Sequence, residues 1–315
     1  MNAASGQALS RDSGLRRSFK KDWKRYKLIY IMLVPVLTYY VIFHYLPMAG
    51  IVVAFQNFKP AKGITGSSWA GLTHFVSFFN GPYAWRLIRN TVLLSLYQIL
   101  FSFPMPIILA LMLNEMRDNP MKRVCQTLTY MPHFVSLVVI CGIIRSFTNS
   151  TGIITMLFSF LGMEPQNLLA QPQYYRSIYV ISSIWESIGW ESIIYLATLA
   201  TVDVSLFEAA DLDGANRAQK IWHINLPVLI PVIAIQLIMR IGRIMSEGAD
   251  KTILLYSAIT YETSDIISSY VYRSGLEAMN YSSAAAIGLF NSLINMGLVV
   301  FANWFSRTYV KESLW

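Results

Sequence analysis

Charge is scarce in this chain. Charged residues make up 13% of its 315 residues, while hydrophobic residues make up 55%. Soluble domains carry roughly a quarter charged residues, so this composition excludes an ordinary soluble protein. Several apolar runs instead reach the ~20 residues that cross the hydrocarbon core of a bilayer. The predicted spans are residues 28–55, 87–113, 127–147, 178–202, 228–246 and 282–304. We therefore expect an all-α integral membrane protein with about six transmembrane helices.

Cysteine and catalytic motifs are scarce as well. The only cysteines, Cys125 and Cys141, lie in or beside the third run. Two thiols at that spacing form neither a disulfide framework nor a metal cluster, so we interpret them as core residues. The histidines are scattered, and the sequence has no GxxxxGK[ST] phosphate loop and no GxSxG motif. We expect no catalytic residue, metal or cofactor on this chain, with a membrane enzyme that lacks a motif as the alternative.

The distribution of basic residues predicts the orientation. Lysine and arginine outnumber aspartate and glutamate, 25 to 17, and crowd the tail formed by residues 1–27. The positive-inside rule places this tail in the cytoplasm, and six spans return the C-terminus to the same side. The first span begins directly after the tail, which favours membrane orientation over nucleic-acid binding. That run is too long for a cleaved signal peptide, so we expect an uncleaved signal-anchor.

A polar stretch, residues 203–227, separates the fourth and fifth runs. Ser205 and Glu208 have the spacing of a capping box, which predicts the start of a helix. Gly214 can adopt the left-handed conformation that ends this helix. A second helix, residues 215–224, should then close at Pro227. The expected result is a rigid, water-facing helix–turn–helix on the cytoplasmic side, with an ordinary loop as the alternative.

The same stretch matches the signature E-A-A-x3-G-x9-I-x-L-P. The matching residues are Glu208, Ala209, Ala210, Gly214, Ile224, Leu226 and Pro227. On these residues the chain resembles the permease subunits of binding-protein-dependent ABC importers. In that family the loop is the coupling helix, which inserts into a cleft of the ATPase subunit. The resemblance implies a type I importer permease fold over residues 28–315 and a coupling loop at 203–227. Asp213, which lies next to Gly214 but is not a fixed position of the signature, is also expected to contribute to coupling.

The resemblance also assigns roles within the loop. Glu208 would cap and orient the coupling helix, Ala209 and Ala210 would allow close approach to the ATPase, and Gly214 would permit the turn. Four other segments resemble sugar permeases related to the maltose importer: residues 45–47, 55–58, 69–72 and 89–91. Four more resemble the branch of these permeases that imports complex oligosaccharides: residues 130–134, 190–196, 261–263 and 313–315.

The family implies a set of partners. A second homologous permease would form a heterodimer with this chain in the bacterial cytoplasmic membrane. Two ATPase subunits would bind ATP and Mg and hydrolyse the nucleotide, so this chain would not itself be an enzyme. An extracytoplasmic solute-binding protein would deliver the oligosaccharide, and lipid would surround the spans. No nucleic-acid partner is expected.

Candidate residues for the substrate path come from three spans. In the fifth, Gln236, Arg240, Arg243 and Glu247 recur at helical spacing and would share one face. An arginine within a span costs roughly 2.5–3.5 kcal/mol on insertion scales and usually faces a bundle interior or a cavity. The candidates from the fourth and sixth spans are Trp185, Glu186, Trp190, Glu191, Tyr195, Asn291 and Asn295.

Two roles remain open for these arginines. Arg240 and Arg243 can pair with Glu186, Glu191 or Glu247 and hold the bundle together. They can instead face the substrate path, where guanidinium recognition of carboxylates would favour uronate-containing oligosaccharides. Two function classes also remain. The first is an ATP-driven importer permease, and the second is a secondary transporter or channel for small polar solutes, which would require internal repeats and discontinuous helices.

Overall fold

The computed structural model describes residues 23, 25–245 and 248–309. Most of the predicted basic tail, together with Glu247 and residues 313–315, lies outside that part of the chain. The described helices, in chain order, are α1 (Arg25–Phe55), α2 (Gly63–Gly66), α3 (Thr73–Phe79), α4 (Ala84–Glu115), α5 (Pro120–Tyr130), α6 (Leu137–Thr148), α7 (Ile153–Ser159), α8 (Pro172–Leu199), α9 (Val204–Leu212), α10 (Arg217–Ile241), α11 (Ala249–Leu255), α12 (Tyr261–Ser264), α13 (Ile267–Tyr272) and α14 (Tyr281–Tyr309).

Five helical segments of the described chain are long and apolar enough to cross a membrane. They are α1, α4, α6 with α7, α10 and α14. Helices α8 and α9 pass the same test as a pair that bends by 75° between them, and this pair would be the sixth. The predicted all-α membrane fold with about six spans is confirmed.

The described residues divide into two compact units, one that ends at residue 69 and one that begins at residue 70. In the first unit, α1 leads into an antiparallel pair of two-residue strands, β1 (Gln56–Asn57) and β2 (Ser68–Trp69). The ring of Phe55 stacks on that of Trp69, with centroids 5.8 Å apart, and closes this hairpin. None of the most apolar window of α1 is buried within the chain, as expected for a surface that contacts lipid or another subunit.

Three apolar clusters form the core of the second unit. Helix α4 contributes to all three, through Leu94, Leu87 and Ala110 respectively. Helix α8 contributes Tyr179 to the first cluster and Tyr195 to the third. The pair α4–α8 is therefore the fixed frame on which the polar side chains described below are mounted.

A glycine allows α8 to cross closely over the end of α5. A Cβ at Gly189 would lie 2.2 Å from the carbonyl oxygen of Thr129, a distance that side chains do not tolerate. This crossing brings Trp190 against His133, and the two rings stack with centroids 4.6 Å apart and planes 6° apart. The contact fixes the position of Trp190 in the wall of a cavity.

Two spans continue through a proline because a π-helical turn precedes it. In α4, the N–H of Phe103 donates to the carbonyl of Gln98 just before Pro104, within a π-helical turn. In α10, the N–H of Leu226 donates to Ile221 just before Pro227. The wider turn accommodates a residue that has no N–H to donate, so neither helix ends there.

The third predicted run, residues 127–147, is not one helix. Helix α5 ends at Tyr130, and a 3₁₀ turn, Met131–Phe134, contains Pro132. Helix α6 then begins with Ser136 as its N-cap, whose hydroxyl accepts from the N–H of Val139. The apolar pattern continues across this corner, which is why hydropathy alone merged the two helices.

Candidate substrate cavity and coupling loop

The coupling loop, residues 203–227, begins with a different cap from the one expected. The carboxylate of Asp203 accepts a hydrogen bond of 2.9 Å from the N–H of Ser205 and caps α9. The predicted capping box between Ser205 and Glu208 is wrong, because Ser205 already lies inside the helix. The bond from Ser205 holds the pKa of Asp203 below its usual range, so the cap stays charged at neutral pH.

The turn after α9 has the predicted glycine. Gly214 adopts a φ of 74°, in the left-handed region. The N–H of Ala215 donates to Ala210 at 2.9 Å and the N–H of Gly214 to Asp211 at 3.1 Å, which together form a Schellman motif. The expectation that Gly214 supplies this turn is confirmed.

The second helix of the loop starts and ends differently from the prediction. Asn216 and Gln219 form a reciprocal capping box, with bonds of 3.0 and 2.7 Å, that starts α10. The helix does not close at Pro227 but runs on to Ile241 as part of the fifth span. Ile224, Leu226 and Pro227 therefore belong to the span itself.

The loop presents a rigid and exposed surface. Lys220 forms an ion pair with Asp211 and ties the start of α10 to α9. None of the residues of α9 is buried, and Glu208 and Ala209 are exposed. Asp213, in the turn that follows, is exposed as well. Leu212 at the tip is 91% exposed. An apolar side chain held this far out on a fixed turn suits a docking surface.

Polar candidates from α8 and α10 meet at one cavity of about 380 Å³, which we call cavity 2. Residues from the fourth and fifth spans face one another across it. Its polar and aromatic lining includes Trp190, Glu191, Tyr195, Gln236, Arg240 and Arg243. The structure thus brings together most of the candidates from these two spans.

Arg240 is held from two sides. Its Nη1 donates to both carboxylate oxygens of Glu191 at 3.1 Å, and its Nη2 donates to the amide oxygen of Gln98 at 3.2 Å. Its buried Nε has no acceptor among the described residues. The guanidinium therefore pairs with a carboxylate and still retains a donor without an acceptor.

Arg243 does not lie on the same helical face as predicted. Helix α10 ends at Ile241, and the N–H of Arg243 donates to the carbonyl of Arg240 in the turn that follows. Gln236 and Arg240 keep helical spacing, whereas Glu247 lies outside the described residues. Arg243 nevertheless lines cavity 2, because the turn keeps it beside Arg240.

A second cavity of about 440 Å³, which we call cavity 1, adjoins the first. Glu191 and Arg240 line both cavities and form a shared wall. Glu186 lines cavity 1 and pairs with Lys251, whose Nζ lies 3.0 Å from Oε2 of Glu186. The expected pairing of Glu186 with an arginine is replaced by this lysine.

A continuous chain of hydrogen bonds joins the two ion pairs. The amide nitrogen of Gln98 donates to Oγ of Ser183 at 3.1 Å, and Lys251 donates to the same oxygen at 2.9 Å. Ser183 donates in turn to the carbonyl of Tyr179. The order is Glu191, Arg240, Gln98, Ser183, Lys251 and Glu186, with each charge paired.

Gln98 and Lys251 were missed in the sequence. Gln98 is a lone amide within an apolar run, and a polar residue in a span usually marks a functional or interior position. This signal could have identified Gln98. Lys251 follows the fifth span in a segment without clear periodicity, so no pattern pointed to it. Only the fold places these two side chains beside Ser183.

Three other candidates lie elsewhere. Trp185 lines a separate apolar cavity with Phe147 and Phe158. The amide of Asn291 donates to the carbonyl of Met245, and Asn295 accepts from the N–H of the same residue. The expected role of these asparagines in hydrogen bonding to sugar is not supported by their position, because they hold the turn after α10 instead.

A buried ion cluster fixes the segment between α10 and α14. Asp265 is fully buried and contacts Arg273 at 2.7 Å and Arg86 at 3.4 Å. The amide of Asn90, on α4, donates to the carbonyls of Glu262 and Asp265. The part of this segment around Glu262 and Asp265 is thereby tied to α4, and α11, which carries Lys251, lies earlier in the same segment.

Comparison with known proteins identifies the family. Residues 102–311 match the family described as binding-protein-dependent transport system inner membrane component. The chain is 40% identical to Protein LplB of Bacillus subtilis, over 92% of each chain. It is 38% identical to the polygalacturonan/rhamnogalacturonan transport system permease protein YteP of the same organism, over 100% of both.

A solved structure agrees with these relatives. A chain of a bacterial ABC transporter involved in the import of the acidic polysaccharide alginate superposes with a TM-score of 0.86. The two are 41% identical, and the match covers 93% of this chain and 99% of that one. The type I importer fold is confirmed, and the alternative of a secondary transporter or channel is not supported. The chain belongs to the family of binding-protein-dependent transport system inner membrane components, as a permease subunit of a sugar ABC importer.

Proposed function

We propose that this chain is the permease subunit of an ATP-driven importer that carries acidic, uronate-containing oligosaccharides into the bacterial cytoplasm. The observation that carries the proposal is the presence of Arg240 and Arg243 in cavity 2. Two relatives support the substrate class, since one is named as a polygalacturonan/rhamnogalacturonan permease and the other takes part in alginate import.

The partners follow from the coupling loop and from the family. A second homologous permease pairs with this chain, two ATPase subunits bind ATP and Mg, and an extracytoplasmic protein delivers the sugar. A related alginate transporter has been solved with a sugar-bound periplasmic protein, which supports the last of these. The exposed, capped turn around Gly214 supports docking to an ATPase. Both termini lie in the cytoplasm by the positive-inside rule.

Cavity 2 has groups for each part of a uronate residue. A substrate carboxylate would displace Glu191 from Arg240 and form charge-assisted bonds with the guanidinium. The amide of Gln236 and the phenol of Tyr195 can bond sugar hydroxyls. The ring of Trp190 stacks on His133 and meets the ring of Phe134 nearly at right angles, and its exposed part in the cavity wall can contact a sugar ring. Arg240 would thus pair with Glu191 in the absence of substrate and with the sugar carboxylate when substrate is bound.

Replacement of Arg240 by glutamine is expected to remove the preference for acidic substrate. The neutral amide cannot make the charge-assisted bonds, so uptake of a trigalacturonate should fall about tenfold or more. Uptake of its methyl ester should change far less. Arg243→Gln should shift the ratio in the same direction. The measurement is ATP-dependent uptake of both sugars by membrane vesicles that contain the complete importer.

Arg123→Gln is the matched control, because Arg123 is exposed on α5 and lines neither cavity. It should leave the ratio of acid to ester uptake unchanged. An unaltered ratio in the double variant Arg240→Gln/Arg243→Gln would contradict the proposed function.

A further inference from the structure

Lys251 occupies a constrained position in the wall of cavity 1. It follows Gly248, whose φ of 87° starts α11 and whose Cβ, if present, would lie 2.1 Å from the hydroxyl of Tyr179. The tight turn presses α11 against α8. The ammonium group contacts Glu186 and Ser183 and lies 5.3 Å from the centroid of the Tyr179 ring. Lys251 is therefore held against three side chains of α8.

The two ion pairs are arranged alike. The side chain of Lys251 is 6% exposed and that of Glu186 is 26% exposed. Arg240 is 16% exposed, and Glu191 is 35% exposed. In both pairs the carboxylate is the more accessible partner and the cation lies behind it. A carboxylate in such a position can leave the cation and turn toward the open cavity.

A contribution to stability is a weak explanation for these charges. A buried ion pair is often no more stabilising than well-packed apolar side chains of the same size. Two such pairs, joined through Gln98 and Ser183, line two cavities that share Glu191 and Arg240 in their walls. Their position on a shared polar track points to ligand binding.

We propose that Lys251 is a second specificity-determining cation, which binds a further carboxylate of the same acidic oligosaccharide in cavity 1 after Glu186 is displaced from it. This inference rests on the proposed function, in which Arg240 binds one carboxylate in cavity 2. Exchange of one carboxylate for another keeps the buried ammonium neutralised throughout. A neutral sugar cannot offer that exchange, so it leaves the Lys251–Glu186 pair closed.

The test is direct binding to the purified importer complex, isolated through a tag on this chain and without its binding protein. Isothermal titration calorimetry compares trigalacturonate with its methyl ester. Lys251→Met should weaken binding of the acid about tenfold or more and leave the ester nearly unchanged. Lys251→Arg should restore most of the acid affinity. Glu186→Gln should tighten acid binding, since no resident carboxylate then competes for Lys251.

Lys122→Met is the matched control, because Lys122 also pairs with a carboxylate, that of Asp118 at 2.8 Å, but lies outside both cavities. It should change neither affinity. If Lys251→Met does not assemble, the double variant Lys251→Met/Glu186→Gln removes both charges together and should show the same selective loss of acid binding.

Three outcomes separate the two proposals. Equal losses for acid and ester in Lys251→Met, or unchanged binding of both, would overturn the role of Lys251. A selective loss in Arg240→Gln without one in the Lys251 variants would leave the proposed function standing and reject this inference. If neither the Arg240 variants nor the Lys251 variants lose acid binding selectively, both proposals are rejected.

Discussion

Replacement of Asp265 by asparagine is expected to destabilise the permease strongly. The carboxylate is fully buried between Arg273 and Arg86, and Ser269 donates to it at 3.0 Å. Asparagine keeps the shape but places an amide NH₂ among guanidinium donors and leaves two arginines without their counter-ion. Removal of one partner from a buried pair costs about 3–5 kcal/mol.

The measurement is the thermal unfolding midpoint of the purified complex, together with the amount recovered from the membrane. Glu262→Gln is the matched control, since that side chain is exposed and its backbone carbonyl, which accepts from Arg89 and Asn90, is unchanged. The Asp265→Asn complex should unfold at a clearly lower temperature than the control. Equal midpoints would show that the segment between α10 and α14 does not depend on this ion cluster.

Replacement of Gly214 by valine is expected to separate ATP hydrolysis from transport. A Cβ at this position would meet nothing within 4 Å, so the penalty is conformational and not steric crowding. A left-handed conformation costs an L-residue roughly 1–2 kcal/mol. A penalty of that size lowers the population of the turn about five- to thirtyfold. The coupling loop would then lose the shape that fits its ATPase.

Sugar uptake and ATP hydrolysis should be measured in the same vesicles, and their ratio should fall in Gly214→Val. Gly214→Asn is the matched control, because asparagine tolerates the left-handed region and should keep most of the coupling. Equal ratios for the valine variant and the unaltered chain would argue against a role for this turn in coupling.

Local signals in the sequence predicted the loop and part of the cavity. Gly214 could be assigned because a turn that requires a positive φ is usually occupied by glycine, and a glycine is visible in the sequence. Arg240 could be assigned because a charge within an apolar span requires a partner or a cavity. The helix limits were less accessible, since Asp203 instead of Ser205 caps α9 and a π-helical turn carries α10 through Pro227.

Contacts between distant segments could not be predicted. Lys251 meets Ser183 only because Gly248 turns α11 onto α8. Asn291 and Asn295 share a helical face as expected, yet that face meets the backbone of Met245 and not a cavity. Helical spacing shows which side chains lie together on one helix, whereas the partner of that face depends on how the spans pack.

Binding of a sugar carboxylate by Arg240 in cavity 2 is the central feature of the proposed transport path. A cryo-electron-microscopy structure of the assembled importer, trapped with a trigalacturonate released from its binding protein, tests it directly. We expect a sugar carboxylate within hydrogen-bond distance of the Arg240 guanidinium and Glu191 displaced from it. A sugar bound elsewhere in the transport path, with the Arg240–Glu191 pair intact, would contradict this role of Arg240.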